Sequence, residues 1–183
     1  APLRFVMLTD GLLELLPRDE LRAVMAHEIG HVRRRHLPWM LGMLVALLVI
    51  GSFAIDWPAQ RVDAWIRSAA WDVPTKVDAM AWLDRGAALG ATLISLGLFG
   101  WVSRRIERQA DTFAVQYLST AAGSPHITPG AVAAMSGALG TVARFAGVSP
   151  RRASWRHGSI AWRQGYLGGL IGAPAAGLAI DRL

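Results

Sequence analysis

Two stretches of this chain carry no charged residue, Leu37 to Ile55 and Gly86 to Ser103. Each is close to the roughly 18–20 apolar residues that a helix needs to cross the hydrocarbon core of a bilayer. Tryptophans stand at their ends, Trp39 and Trp57 around the first and Trp82 and Trp101 around the second. Indole rings favour the headgroup boundary, so this placement predicts two membrane-spanning helices rather than a buried helix pair in a soluble core. A hairpin of two spans returns the chain to the side it left. Pro38 is expected to kink the entry into the first span.

The rest of the composition narrows the class. The 183 residues suffice for one domain, and there is no Cys. That excludes disulfides and thiolate metal sites, so any metal must be held by His and carboxylates. The net charge is +6, and Lys76 is the sole lysine among 19 basic residues. The arginines gather at the ends of the apolar runs, which suits anionic lipid headgroups and not nucleic acid. Arg33, Arg34 and Arg35 precede the first run and Arg104, Arg105 and Arg108 follow the second, whereas the intervening loop mixes both signs. By the positive-inside rule, the segments flanking the hairpin face the cytosol.

Just before the first run stands His27-Glu28-Ile29-Gly30-His31, an H-E-x-x-H pattern. The segment reads as a helix, with Pro17 and the acidic pair Asp19 and Glu20 near its start and arginines near its end. Residues four apart share a helical face, so both imidazoles can meet one metal ion. Glu28 beside them can take a proton from a water at that ion. This is the constellation of a zinc peptidase, which would bind one Zn2+ per chain and act on a peptide or protein.

Two histidines leave a catalytic zinc one protein ligand short. After the second apolar run, Glu107 and Asp111 are four apart on an expected helix. Glu107 can complete a His2Glu site, and Asp111 can accept a hydrogen bond from the free nitrogen of a ligating imidazole. Spacing alone describes an ordinary charged helix face equally well. The hairpin, which brings this helix back beside His27 and His31, favours the ligand reading.

The text around these residues resembles the membrane metallopeptidases of the HtpX and CAAX-prenyl-protease type. The likeness rests on Leu8 to Leu13, on Ala23 to His31, on Glu107-x-x-Ala110-Asp111, and on Trp155-Arg156-His157-Gly158-Ser159-Ile160 followed by Arg163. It implies His27, His31 and Glu107 as zinc ligands, Glu28 as general base, and Asp111 as the group orienting a ligand. It further implies that His157 lies near the site and helps stabilise the oxyanion. Arg163 either pairs with an acidic group there or lies on the surface. Gly158 stands where that family usually carries Pro. The resemblance also implies segments upstream of Ala1, and the chain reads as a piece of a longer protein.

The fold expected is mainly α, of zincin-like α+β type: an H-E-x-x-H helix and a Glu-ligand helix joined by a transmembrane hairpin, with a short strand from Arg4 to Leu8 closed by an Asp10-Gly11 turn. The whole forms one membrane-associated metallopeptidase domain in a multi-pass cell-membrane protein. Val62, Trp65, Ile66 and Ala69 mark a loop helix. Thr128 and Pro129 cap a helix ending near Gly147. Gly165 to Ile180, uncharged and glycine-rich, reads as a third membrane helix or a buried terminal one. His36, five residues after His31, falls off the metal-binding face and reads as exposed or interfacial. His126 lies in a Gly/Pro loop without an evident partner. Two other functions fit the same motif, a sensor-transducer of the beta-lactam-receptor type and an inert membrane scaffold.

Overall fold

The computed structural model describes residues 10–182. They form α1 (Asp10–Leu15), α2 (Arg18–Arg33), α3 (His36–Ser68), α4 (Val73–Ala121), α5 (Pro129–Phe145), α6 (Ile160–Gly168) and a final 3-10 turn (Ala179–Arg182). Among the described residues there is no strand, only isolated bridges at His126–Pro174 and Ser154–Gly158. The mainly α expectation holds. The strand expected from Arg4 to Leu8 lies outside the described residues. Asp10 and Gly11 open α1 instead of closing a turn, and Asp10 places a carboxylate at the positive end of that helix.

The chain divides into two compact units, one of residues 1–37 and 102–183 and one of residues 38–101 inserted between them. In the first unit α5 packs against both α2 and α6. Its core joins Ala23 and Ala26 of α2, Ala114 and Val115 of α4, Met135 and Leu139 of α5, and Leu167 of α6. Leu167 is fully buried, which is worth roughly 1.5–3 kcal/mol for a side chain of its size. Small residues let α2 and α4 approach closely. A β-carbon at Gly30 would stand 3.1 Å from the Phe113 ring, so the glycine inside H-E-I-G-H lets that ring lie closer than a side chain there would allow without a shift.

Helix α2 begins after Pro17 and carries Asp19 and Glu20 in its first turn, as the sequence predicts. Glu20 accepts a hydrogen bond from Thr141 of α5 at 3.1 Å, tying the helix start to the core. The helix ends at Arg34 and Arg35, where Arg35 takes φ 54, the left-handed conformation that commonly stops a helix. The break thus precedes Pro38. That proline lies in the first turn of α3, where its missing N–H leaves no intrahelical bond unmade.

The inserted unit is longer and straighter in sequence than expected. Helix α3 continues through Pro58 to Ser68, absorbing Val62, Trp65 and Ile66, so the connection to α4 shrinks to residues 69–72. Asp72 caps α4 by accepting from the Thr75 amide at 3.3 Å and from its hydroxyl. Both helices are long and apolar enough to cross a membrane. The most apolar window of α3 is unburied, with Trp39, Leu48 and Phe53 each about 70% exposed (72%, 68% and 73%). That surface is not the inside of a soluble core. Near the connection, Arg61 lies 4.9 Å over Trp57 and Arg85 5.7 Å over Trp82. These pairs set an aromatic face and a cation side by side, as a headgroup boundary favours.

Thr128 caps α5 as expected, accepting from the Ala131 amide at 3.2 Å, and Gly147 follows the helix end at φ 63. The stretch from Gly165 is not a helix through Ile180. Helix α6 stops at Gly168, and Gly172 and Gly177 take φ 80 and 76. The segment pairs with the loop before α5 instead: Ile127 donates to the Ala173 carbonyl at 2.8 Å and Gly172 to the Ile127 carbonyl at 2.9 Å. Glycine content and Pro174 favour this irregular path over a helix of either kind.

Arg35 holds a conformation that disfavours a side chain and lies exposed, so Arg35→Gly is expected to raise stability. The gain should be about 0.5–1 kcal/mol, the smaller because glycine also widens the unfolded ensemble. Thermal unfolding of the two proteins in the same detergent measures it.

Candidate metal centre

Four residues apart on α2, His27 and His31 turn their Nε2 atoms to within 3.1 Å of each other. Helix α4 brings Glu107 against them, with Oε2 3.8 Å from His27 Nε2 and Oε1 3.9 Å from His31 Nε2. One ligand atom from each residue fits within a 4.8 Å cluster that could hold a metal ion. Ligands at about 2.0–2.1 Å from a tetrahedral zinc stand about 3.3 Å apart, so the donor set needs only small side-chain shifts to close on one.

The groups behind these atoms fix their state. Asp111 is fully buried, and His27 Nδ1 lies 2.9 Å from its Oδ1. That approach to an acceptor-only carboxylate leaves Nε2 as the ring nitrogen turned toward His31 and Glu107. Arg163, 5% exposed, grips Asp111 with two donors at 2.7 and 2.6 Å and places Nη1 3.2 Å from Glu107 Oε2. Burial opposes the guanidinium charge, but the bonds to Asp111 and the charges of both carboxylates hold its pKa above the usual value. Removing one member of such a buried pair typically costs about 3–5 kcal/mol. Of the two places open to Arg163 in the sequence, the structure shows the acidic pairing. Burial, then the neighbouring His27, lowers His31 to about 4, which leaves it in the neutral form that binds metals.

Glu28 and His157 border the same site. With His27, Val24, Met135, Leu139 and Val142 they line a largely apolar cavity of about 410 Å³. His157 Nδ1 lies 3.1 Å from Glu107 Oε1. Its loop is closed by a reciprocal pair of bonds, Ser154 N–H to Gly158 O at 3.0 Å and Gly158 N–H to Ser154 O at 2.9 Å. Gly158 takes φ 74, and its N–H is used. Proline could supply neither, so this departure from the resemblance belongs to a differently built loop.

All seven residues singled out in the sequence, His27, Glu28, His31, Glu107, Asp111, His157 and Arg163, therefore meet in the unit that holds α2 and the second part of α4. His36 is a correction. It is not exposed but 3% accessible, with Nδ1 2.9 Å from His31 Nδ1 and Nε2 3.1 Å from Gln109 Oε1. Counting along an unbroken helix turns it away, whereas the stop at Arg35 turns the chain and brings it back. The run Arg33-Arg34-Arg35 at the helix end was the available sign of that stop. Gln109, between Glu107 and Asp111, carries no metal-ligating chemistry and gave no sign. His126 is exposed, and its carbonyl accepts from Ser124 at 2.7 Å.

Comparison with known proteins bears on the same residues. The model of peptidase family M48 matches residues 1–140, which include H-E-x-x-H, Glu107 and Asp111 but end before His157 and Arg163. A protease HtpX homolog of Aeropyrum pernix is 32% identical over 123 residues, 66% of this chain and 35% of its own length. A protease HtpX homolog of Desulfatibacillum aliphaticivorans is 30% identical over 142 residues, 75% of this chain and 42% of its length. The plastoglobule-localized metallopeptidase 48 of Arabidopsis thaliana is 32% identical over 73 residues, 36% of this chain and 21% of its length. The chain thus spans little more than a third of the first of these relatives. No solved structure matches it. With the family model covering most of its length, the chain belongs to peptidase family M48.

Proposed function

We propose that the chain is the catalytic part of a zinc-dependent membrane endopeptidase, acting in the turnover or processing of membrane proteins. One observation carries the reading: two imidazole Nε2 atoms and a carboxylate converge beside a cavity that His27, Glu28 and His157 line. His27, His31 and Glu107 are the zinc ligands. A zinc bound there would supply Lewis acidity to a water and a peptide carbonyl.

The residues of the chain do the rest. Glu28 takes the proton of the attacking water and delivers it to the leaving amine. His157, with Nδ1 directed at Glu107, offers its other nitrogen to the negative charge that grows on the substrate carbonyl oxygen. Asp111, itself gripped by Arg163, holds His27 in the ligating tautomer. The apolar cavity receives a side chain next to the scissile bond and keeps water away from it.

We read 37–55 and 86–103, within the long apolar helices α3 and α4, as the spans that hold the chain at a bilayer. The arginines that flank them support a cytosolic active site. Several also have partners within the protein: Arg34 bonds Asp181, Arg104 donates to the Trp155 carbonyl at 2.8 Å, and Arg108 lies 4.7 Å over Trp162. Their charge still counts toward orientation, since the rule concerns the number of cations near a span.

Glu28→Gln is expected to retain about one zinc per chain and lose roughly three orders of magnitude in peptide hydrolysis, and Glu107→Ala to lose zinc itself. Metal analysis of the detergent-purified proteins beside a peptidase assay separates the roles, and an active Glu28→Gln protein overturns the base assignment.

Gly158→Pro removes the N–H bonded to Ser154 and forbids the left-handed backbone. It should leave zinc content intact and lower kcat about tenfold to a hundredfold by displacing His157. An unchanged kcat would remove His157 from the mechanism.

A further inference from the structure

We propose that His36 and Gln109 form a hydrogen-bonded relay that sets the tautomer and aim of His31, and that the turn carrying Ile180 locks the relay in place. The proposal rests on the reading of His31 as a metal ligand and makes His36 and Gln109 positioning residues of that site.

The direction of each bond follows from what its atoms can do. The Ile180 carbonyl only accepts, so Gln109 presents its Nε2 amide there, at 2.8 Å. Gln109 Oε1 is thereby left facing His36 Nε2 at 3.1 Å, and the imidazole must donate. In neutral His36 the other nitrogen, Nδ1, then has a lone pair. It lies 2.9 Å from His31 Nδ1, which must carry the proton. His31 Nε2 is left with its lone pair directed at His27 Nε2, the arrangement a shared metal needs.

Two ligands on one helix are thus oriented by different devices. A carboxylate, Asp111, holds His27, and a neutral imidazole backed by an amide holds His31. The neutral device suits its place. Glu107, Asp111 and Arg163 already crowd the centre with charge, and a further buried carboxylate behind His31 would add to the repulsion between Glu107 and Asp111.

The anchor of the relay is itself held. Asp181, next to Ile180, is bonded by Arg34, by Gln116 Nε2 at 2.9 Å and by the Leu178 amide at 3.1 Å. Arg34 stands at the same helix break that returns His36 to His31. One short segment therefore clamps the exit of α2 and supplies the acceptor that sets the sign of the whole relay.

Two variants and a control test it. His36→Leu removes the relay, Gln109→Met keeps the length of the side chain without an acceptor, and Gln109→Glu keeps the acceptor toward His36 while giving up the bond to Ile180. Ring-nitrogen NMR of the metal-free, 15N-histidine-labelled protein reads the His31 tautomer, and competition with a chromophoric chelator reads Zn2+ affinity. The expected tautomer is Nδ1–H His31 in the parent and, since its carboxylate still accepts from His36, in Gln109→Glu, which is read by tautomer alone because it adds a charge. In His36→Leu and Gln109→Met a mixed tautomer and about 10- to 100-fold weaker Zn2+ binding are expected. A folded His36→Leu with the parent's tautomer and affinity overturns the relay. If that variant does not fold, the same His31 tautomer in Gln109→Met and Gln109→Glu overturns it. A parent that shows the Nδ1–H tautomer but binds no Zn2+ supports the relay and refutes the metal reading instead.

Discussion

On the tautomers proposed for His27 and His31, two bare Nε2 atoms face each other at 3.1 Å, and the groups around them answer that approach. Lone pairs facing at this distance repel unless a cation lies between them, and an imidazole left to itself would turn or change tautomer. Each ring is therefore held from behind through Nδ1, His27 by Asp111 and His31 by His36. The carboxylate that holds His27 is too costly to bury alone, so Arg163 is buried with it. The same guanidinium reaches Glu107, whose other oxygen lies against His157. Removing any one of these groups leaves another without its partner.

The inserted hairpin has the opposite problem. Many of its large apolar side chains are exposed among the described residues, and its polar groups are few. The connection between its helices is only residues 69–72, and the capping of α4 by Asp72 makes so short a link sufficient. The unit with the metal centre, by contrast, has its own core of small residues against α5, with Gly30 permitting α2 and α4 to meet. The residues of the candidate metal centre and the long apolar helices thus lie largely in different units of one chain.

Much of this was readable from the residues. His27, Glu28, His31, Glu107 and Asp111 declare themselves because metal chemistry restricts residue type and helical geometry restricts spacing. The apolar runs declare the hairpin for a similar reason, since only length and lack of charge matter. The errors share a cause. His36, the extent of α3 and the path after Gly168 each depend on where a helix stops, and stops are set by single residues in special conformations, Arg35, Gly172 and Gly177 among them. Arg35 ends a helix in a conformation more usual for glycine, whereas Pro58 lies inside α3. Gln109 was invisible because an amide acquires a role only from its neighbours, here a carbonyl 71 residues further along.

The clamp at Asp181 also imposes an order in time. Arg34 and Asp181 are separated by 147 residues. During synthesis at about 5–20 residues per second, the H-E-x-x-H segment leaves the ribosome on the order of ten seconds before the segment that fastens the exit of its helix. Through that interval the exit of α2 lacks the partner that fastens it in the folded chain.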